Sequence, residues 1–265
     1  MPLTLQTFST VKDASVALKA AGTCYLGGGT LLVRRANEGD ISFSTFVRAI
    51  DPSLSAVDIA DGRARIGASA TMAAIARHPD LVFLSRAARA VGGPAIRNMA
   101  TAGGNLFAPT PYGDFAVALL ALDAHVSIGG GERPIEAFLS ERGGIHAGAI
   151  VTAVSFAIPG NDDFRFLKVS RVKPKGVSAL SIAAVLKEEG GIISSARIAY
   201  GCMADRPIRA KAAEAALIGR ERTKEGIAPA LAAALEGTAA VTDAIASAWY
   251  RSEVLPVHLR RLLLG

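Results

Sequence analysis

Residues 101–114 read Thr-Ala-Gly-Gly-Asn-Leu-Phe-Ala-Pro-Thr-Pro-Tyr-Gly-Asp and combine a run of small residues with a single carboxylate. The small residues at 101–105 predict a turn whose backbone N–H groups an anionic ligand can approach closely. Asp114 then opens an apolar run at 115–122. A second tight run, Gly-Gly-Gly-Thr at 27–30, lies about seventy residues upstream. Two such segments in one chain indicate a large phosphate-bearing cofactor that is held mostly by backbone donors.

Length and composition predict a globular protein. At 265 residues the chain is long enough for a sizeable core, and we expect two domains. Hydrophobic residues make up 51% of it and charged residues 20%. No uninterrupted apolar segment approaches the ~20 residues of a membrane-spanning helix. The first residues, Met-Pro-Leu-Thr, lack the basic and apolar regions of a secretory signal, so we expect no membrane span and a cytoplasmic location.

Charge and cysteine content argue against several classes of function. The net charge of +6 indicates a basic surface, but the sequence shows neither a recognition-helix motif nor interleaved aromatic and basic residues, so we expect no nucleic-acid binding. Two cysteines, Cys24 and Cys202, are too few for an iron–sulfur cluster or a cysteine-based zinc site. The four histidines are scattered, so we predict no metal site. We also predict no catalytic residue, because the sequence contains no acidic and basic side chains at the spacing of an acid–base catalytic motif.

The N-terminal half reads as alternating strands and helices. A strand at 23–26 runs directly into the first glycine segment, and a helix resumes at 31–35. Asp61-Gly62 predicts a hairpin turn, and the Ala- and Leu-rich run at 115–123 predicts a helix. Pro159-Gly160 followed by Asn-Asp-Asp is the best candidate for a domain boundary.

The C-terminal part predicts a small α+β domain with a three-stranded antiparallel sheet. Its strands are predicted at 164–169, 179–186 and 191–200. Its helices are predicted at about 208–217, 227–235, 242–250 and 253–264. We therefore divide the chain into residues 1–160, with subdomains of about 1–55 and 56–160, and residues 161–265.

Neither glycine segment matches a common nucleotide motif. Gly27 to Thr30 is not followed by Gly-Lys-Ser/Thr, and Leu32 occupies the last glycine position of the dinucleotide fingerprint. Three adjacent glycines are more often a simple tight turn. Asp114 likewise has two interpretations: it accepts hydrogen bonds from ribose hydroxyls, or it caps the helix that follows.

The two segments carry a family resemblance. Gly27-Gly28-Gly29-Thr30-Leu31-Leu32 resembles the Ala-Gly-Gly-Thr-Asp-Leu loop of the FAD-binding subunit of molybdenum-containing hydroxylases, which include carbon monoxide dehydrogenase and xanthine dehydrogenase. Residues 96–105 resemble that family's Ile-Arg-Asn-x-x-Thr-Ile-Gly-Gly-Asn segment. Asp114 with Ala-Leu-Leu-Ala-Leu-Asp at 118–123, and the final helix at 250–262, continue the resemblance over essentially the full length.

The resemblance implies an α+β fold: a two-subdomain FAD-binding domain of the vanillyl-alcohol-oxidase-like type, followed by the small C-terminal domain. The cofactor it implies is FAD, with the diphosphate and adjoining parts held by the two segments. Asp114 would lie at a polar group of the nucleotide, and three further residues would line the flavin. The implied cofactor-binding residues are Leu26, Gly27, Gly28, Gly29, Thr30, Leu31, Val91, Thr101, Ala102, Gly103, Gly104, Asn105, Asp114, Val151 and Lys168.

The resemblance also implies a function and partners. The chain would be the electron-transfer subunit of a heterotrimeric molybdenum hydroxylase, between a small [2Fe-2S] subunit and an external electron acceptor. A large subunit would hold the molybdenum cofactor. The sequence departs from the family at Gly27, Leu31 and Ala102, where Ala, Asp and Ile are usual. Two alternatives stay open: a self-sufficient FAD-dependent oxidase, and a non-catalytic partner-binding protein that has lost its flavin.

Overall fold

The computed structural model describes residues 3–143, 149–172 and 176–265, and these residues form three β-sheets flanked by helices. Within these ranges no helix is both long and apolar enough to cross a membrane.

The first sheet is small and parallel. Its elements are β1 (Thr4–Phe8), α1 (Val11–Ala17), β2 (Thr23–Tyr25), α2 (Leu32–Asn37) and β3 (Thr45–Ala49). The strand order is β1-β3-β2, and both neighbouring pairs are parallel. Thr10 caps α1, because its hydroxyl accepts a hydrogen bond from the N–H of Asp13 at 3.1 Å. Since α2 connects β2 to β3, the carboxyl end of β2 opens directly into residues 26–31.

The second sheet has five strands, and its neighbouring strands are antiparallel. Its strands are β4 (Val57–Ala60), β5 (Arg63–Gly67), β6 (His125–Ile128), β7 (Gly131–Pro134) and β8 (Val151–Ala157), in the order β4-β5-β8-β6-β7. The helices of this part are α3 (Met72–Ile75), α4 (Ser85–Ala90), α5 (Pro94–Met99), α6 (Ala102–Leu106), α7 (Asp114–Ala121) and α8 (Ile135–Glu141), with 3₁₀ turns at Pro52–Ser55 and Pro79–Leu84. The hairpin predicted at Asp61-Gly62 is confirmed, because β4 pairs with β5 across it.

The third sheet is antiparallel and forms the C-terminal part. Its elements are β9 (Phe164–Ser170), β10 (Ser178–Glu189), β11 (Ile192–Gly201), β12 (Ile208–Arg209), α9 (Lys211–Leu217), α10 (Ala228–Ala232) and α11 (Ala248–Leu264). The order is β12-β11-β10-β9. The sheet therefore has four strands, and the prediction of three is wrong. Ile208 and Arg209, predicted as the start of a helix, instead pair with β11, and the helix begins at Lys211.

The prediction of a helix over 242–250 is also wrong for most of that range. The last helix begins only at Ala248, where the hydroxyl of Ser247 accepts a hydrogen bond from the N–H of Tyr250 at 3.1 Å. Upstream of that cap, the guanidinium of Arg251 binds the carbonyl of Val241 and the carboxylate of Asp243. These contacts, with the hydrogen bonds from the N–H groups of Ile245 and Ala246 to Asp243 Oδ1, hold the preceding residues in a loop.

Helix α7 joins the second and third sheets. Every one of its residues is buried, and it contacts α4 and α6 as well as β10 and β11. Phe166, Ala183 and Val185 of the third sheet belong to the same hydrophobic core as the second sheet. The two parts therefore share a core, and the domain boundary at residues 160 and 161 stays a prediction.

Candidate functional site

Residues 26–31, which we call the first loop, present unused backbone donors. The N–H of Leu26 still donates to the carbonyl of Val47 at 2.7 Å, as an extension of the β2–β3 pairing. After it, the N–H groups of residues 27 to 31 donate no hydrogen bond to any part of the chain that the structure describes. The next donor, the N–H of Val33, binds the carbonyl of Gly29 at 2.9 Å and starts α2. Among the described residues, six successive N–H groups, those of 27 to 32, are thus available to a ligand.

The start of α2 adds to this donor-rich character. Leu31 occupies the N-cap position, and no side chain caps the helix there. The N–H groups of an uncapped first turn are unsatisfied and carry the positive end of the helix dipole. An anionic group bound at the first loop would accept hydrogen bonds from these N–H groups and would be attracted by the positive end of the helix dipole.

Residues 101–105, which we call the second segment, differ from the prediction. They are not a turn: Thr101 caps the short helix α6, and its hydroxyl accepts from the N–H of Gly104 at 3.2 Å. The N–H groups of Ala102 and Gly103 donate to the carbonyls of Ala70 and Ala68 at 2.9 and 2.8 Å. The expectation that this segment presents free backbone donors is therefore wrong at these positions.

The two segments nevertheless lie against each other. A Cβ added to Gly28 would lie 1.9 Å from the carbonyl oxygen of Met99, so only glycine permits this approach. A Cβ added to Gly27 would lie 3.2 Å from the hydroxyl of Thr101. The second segment therefore forms a wall beside the first loop. The fold thus brings together the two segments that the sequence predicts to hold one cofactor.

An open groove of about 490 Å³ borders the first loop. It is lined by Gly28, Gly29, Thr30, Val33, Arg34, Asn37, Glu38 and Met99. Arg34 binds Glu38 at 2.7 Å and the hydroxyl of Tyr112 at 3.3 Å, so its charge is already matched by a carboxylate.

Asp114, Lys168 and Ser178 form a second group, at the junction of the second and third sheets. The Nζ atom of Lys168 donates to Asp114 Oδ2 at 2.9 Å and to the carbonyl of Ala90 at 2.8 Å. The Ser178 hydroxyl donates to Asp114 Oδ1 at 2.6 Å. Asp114 thus does not cap α7; the Asn105 Oδ1 atom accepts from the N–H of Ala116 at 2.9 Å instead.

The two remaining predicted residues lie in different surroundings. Val91 is half-buried and follows Ala90, whose carbonyl binds Lys168, so it lies next to the Asp114 group. Val151 is buried and pairs with Ile128 in the second sheet. Within the part of the chain that the structure describes, no hydrogen bond joins Val151 to the first loop or to the Asp114 group. Its role toward a ligand stays a prediction.

Sequence reasoning missed Ser178, Arg34 and Tyr112. Ser178 lies 64 positions from Asp114, and no local pattern signals the contact. Among the described residues, no group of three or more His, Cys, Asp or Glu side chains is arranged to hold a metal ion.

Comparison with known proteins yields a family match over most of the chain. Residues 2–159 match the model of the FAD binding domain in molybdopterin dehydrogenase, and residues 165–265 match that of the CO dehydrogenase flavoprotein C-terminal domain. The glyceraldehyde dehydrogenase medium chain of Sulfolobus acidocaldarius is 29% identical over 66% of this chain and 64% of its own length. The xanthine dehydrogenase FAD-binding subunit of Escherichia coli O157:H7 is 31% identical over 58% of this chain and 57% of its own.

The alignments thus span less than two thirds of these relatives. A solved structure of carbon monoxide dehydrogenase from Hydrogenophaga pseudoflava superimposes with a TM-score of 0.91 at 22% identity, over 99% of this chain and 96% of that one. At that identity the likeness demonstrates the fold.

Proposed function

Because this chain belongs to the family of FAD binding domains in molybdopterin dehydrogenases, we propose that it is the FAD-binding electron-transfer subunit of a molybdenum-containing hydroxylase. When bound, FAD supplies an isoalloxazine ring that takes up and releases electrons. The chain's own residues bind and orient the cofactor, and set the charge around it.

The observation that carries this proposal is the row of unused N–H groups in residues 27 to 31. A diphosphate is a doubly charged acceptor of hydrogen bonds, and backbone N–H groups at a helix start are a recurring way to hold one. No acidic side chain lies in the first loop, since Leu31 replaces the usual Asp. Among the described residues that line the groove, the only carboxylate belongs to Glu38, which is paired with Arg34 at 2.7 Å. The residues present therefore fit the diphosphate of FAD.

The remaining predicted residues have separate roles in this proposal. Gly27, Gly28, Gly29, Thr30 and Leu31 hold the diphosphate, and Leu26, whose N–H donates to Val47, anchors the loop to β3. Thr101, Ala102, Gly103, Gly104 and Asn105 form the facing wall, where Gly104 is exposed and Asn105 is buried. Val91, Asp114 and Lys168 border the flavin end of the cofactor.

The proposed partners are those that the family resemblance implies. A small subunit with [2Fe-2S] clusters donates electrons, a large subunit holds the molybdenum cofactor, and an external acceptor receives the electrons. The substrate, an aldehyde, an N-heterocycle or CO, reacts on the large subunit in this scheme.

Two measurements test the proposal. The purified full chain is expected to show absorption bands at about 450 nm or to acquire them with added FAD, and to co-purify from its native host with a large and a small subunit. Protein that stays colourless with added FAD would contradict flavin binding and favour a partner-binding protein without flavin. Retained flavin without any partner subunit would instead favour a self-sufficient oxidase.

A further inference from the structure

Strand β1 has an edge to which no other described strand is paired. It lies at the end of the order β1-β3-β2 and pairs only with β3. The N–H of Thr4 donates to the carbonyl of Ser44 at 3.0 Å, so Thr4 and every second residue after it bind β3. The N–H and C=O groups of Leu5 and Thr7 therefore point away from the sheet, as unpaired donors and acceptors.

This edge lacks the features that usually protect a sheet edge from pairing with another chain. Protected edges carry charged residues or proline, or are very short. The other edge strands in the described part of the chain have such features: β2 has three residues, and β4, β7, β9 and β12 contain Asp58, Arg133, Lys168 and Arg209. In contrast, β1 reads Thr-Leu-Gln-Thr-Phe, without charge or proline, and its first four residues are exposed. It is therefore open to a further strand.

Apolar surface borders this edge on both faces of the sheet. Phe8 packs with α1 in the core of the first sheet, so Leu5, an odd number of residues away, points to the opposite face. Leu5 is 55% exposed, and Val16 of α1 is 62% exposed. An open groove of about 500 Å³ lies where the end of β1 meets α1, and Thr7, Phe8 and Val16 are among its lining residues. A strand added to β1 would cover part of this surface.

We propose that β1 pairs, antiparallel and about a two-fold axis, with the β1 of a second copy of this chain. With Leu5 opposite Thr7 of the second copy, the two residues exchange both backbone hydrogen bonds, and the two-fold axis repeats the pair. Because β1 is uncharged, no like charges oppose each other in this arrangement, and no charge selects a different partner. The two small sheets then become one continuous sheet. This inference goes beyond the proposed function and does not depend on it.

Sedimentation velocity of the full chain, from dilute to concentrated solution, tests the inference. We expect the wild type to pass from monomer to dimer as its concentration rises. Leu5→Pro removes an outward N–H but spares the N–H groups that bind β3, and proline is tolerated on such an edge. It should weaken dimerisation at least about tenfold. The matched control is Ile41→Lys, which removes a 94% exposed apolar side chain outside β1 and should dimerise like the wild type.

A second variant and a second measurement keep the test decisive. Circular dichroism verifies the fold, and Thr7→Lys, which places a charge at the edge, replaces Leu5→Pro if that variant does not fold. Amide exchange followed by NMR should slow at Leu5 and Thr7 as the concentration of the wild type rises.

Three outcomes would overturn the inference. The first is a wild type that stays monomeric at every concentration, including one whose β1 is protected only in a complex with a different subunit. The second is a dimer that neither Leu5→Pro nor Thr7→Lys weakens. The third is equal weakening by Ile41→Lys, which would indicate association through exposed apolar surface in general.

Discussion

Arg251 is a fully buried cation whose contacts fix a loop that the sequence alone reads as helix. Its Nε atom donates to the carbonyl of Ala179 at 2.9 Å, and Nη2 donates to Asp243 Oδ2 at 2.8 Å. Burial acts to raise the pKa of Asp243, but the hydrogen bonds from Arg251 and from two backbone N–H groups outweigh it and lower that pKa. One side chain thus joins α11 to β10 and to the loop before α11.

Replacing Arg251 by Met is expected to lower the free energy of unfolding by about 3–5 kcal/mol, because a carboxylate and two carbonyls lose their partner. Urea denaturation measures the change. Arg260, an exposed residue of the same helix, provides the matched control. Arg260→Met should change the stability by less than about 0.5 kcal/mol. Equal effects of the two substitutions would show that the buried contacts of Arg251 contribute nothing.

Cys202 has a thiol that the fold keeps protonated. Burial and, secondarily, the charge of Asp114 raise the pKa of Cys202 from 9.0 to about 12. Below pH 9 the thiol is protonated in both the folded and the unfolded chain. Between pH 9 and 12 only the unfolded chain releases the proton, so the wild type should lose up to about 1.4 kcal/mol of stability per pH unit relative to Cys202→Ala. Parallel stability curves for the two proteins would contradict this.

The secondary-structure elements that could be predicted from the sequence are those specified by residues close together in the chain. The helix predicted at 115–123 is observed as α7, and the loop between β2 and α2 lies where the glycine run places it. The helix of the second segment could not be predicted, because the two adjacent glycines have a low helix propensity. The segment becomes helical through hydrogen bonds from Ala102 and Gly103 to residues more than thirty positions upstream.

Leu31 leaves α2 without a side-chain cap, and this makes a specific prediction. Leu31 lies in the αR region (φ −105°, ψ −43°), so an Asn at this position caps α2 only after its backbone moves to the extended region, and Leu31→Asn should stabilise the protein by at most about 0.5 kcal/mol. Thermal unfolding measures the gain. Val33→Asn, in the first turn but past the cap position, is the control and should not stabilise. A destabilised Leu31→Asn variant would mean that the packing of Leu31 outweighs the missing cap.

Gly28 holds the first loop against Met99 and Ala100, which directly precede the second segment. Because a Cβ would lie 1.9 Å from the carbonyl oxygen of Met99, Gly28→Ala should displace the loop and weaken FAD binding at least tenfold. Equilibrium titration of the full chain with FAD measures this. Gly131 in β7 has open space for a methyl group on its Cα atom, so Gly131→Ala should bind FAD with wild-type affinity. Unchanged affinity in Gly28→Ala would exclude this loop as the site.

At the scale of the whole molecule, one core connects the predicted domains. A Cβ added to Gly201 of β11 would lie 2.8 Å from Val117 of α7, so glycine permits the close approach of these elements. The composition and the order of strands and helices predict the class of fold. The contacts that join Asp114 to Lys168 and Ser178 span 54 and 64 positions. Such contacts depend on how the sheets pack, which no local pattern in the sequence specifies.

The central claim is that the N–H groups of residues 27 to 31 hold the diphosphate of FAD. Hydrogen–deuterium exchange of the full chain tests it most directly, with riboflavin as the control because it lacks the diphosphate. We predict that FAD, but not riboflavin, slows exchange at residues 27–31, whereas the N–H groups of 102–105 change little because they already donate within the chain. Unchanged exchange at residues 27–31 in protein saturated with FAD would contradict the account.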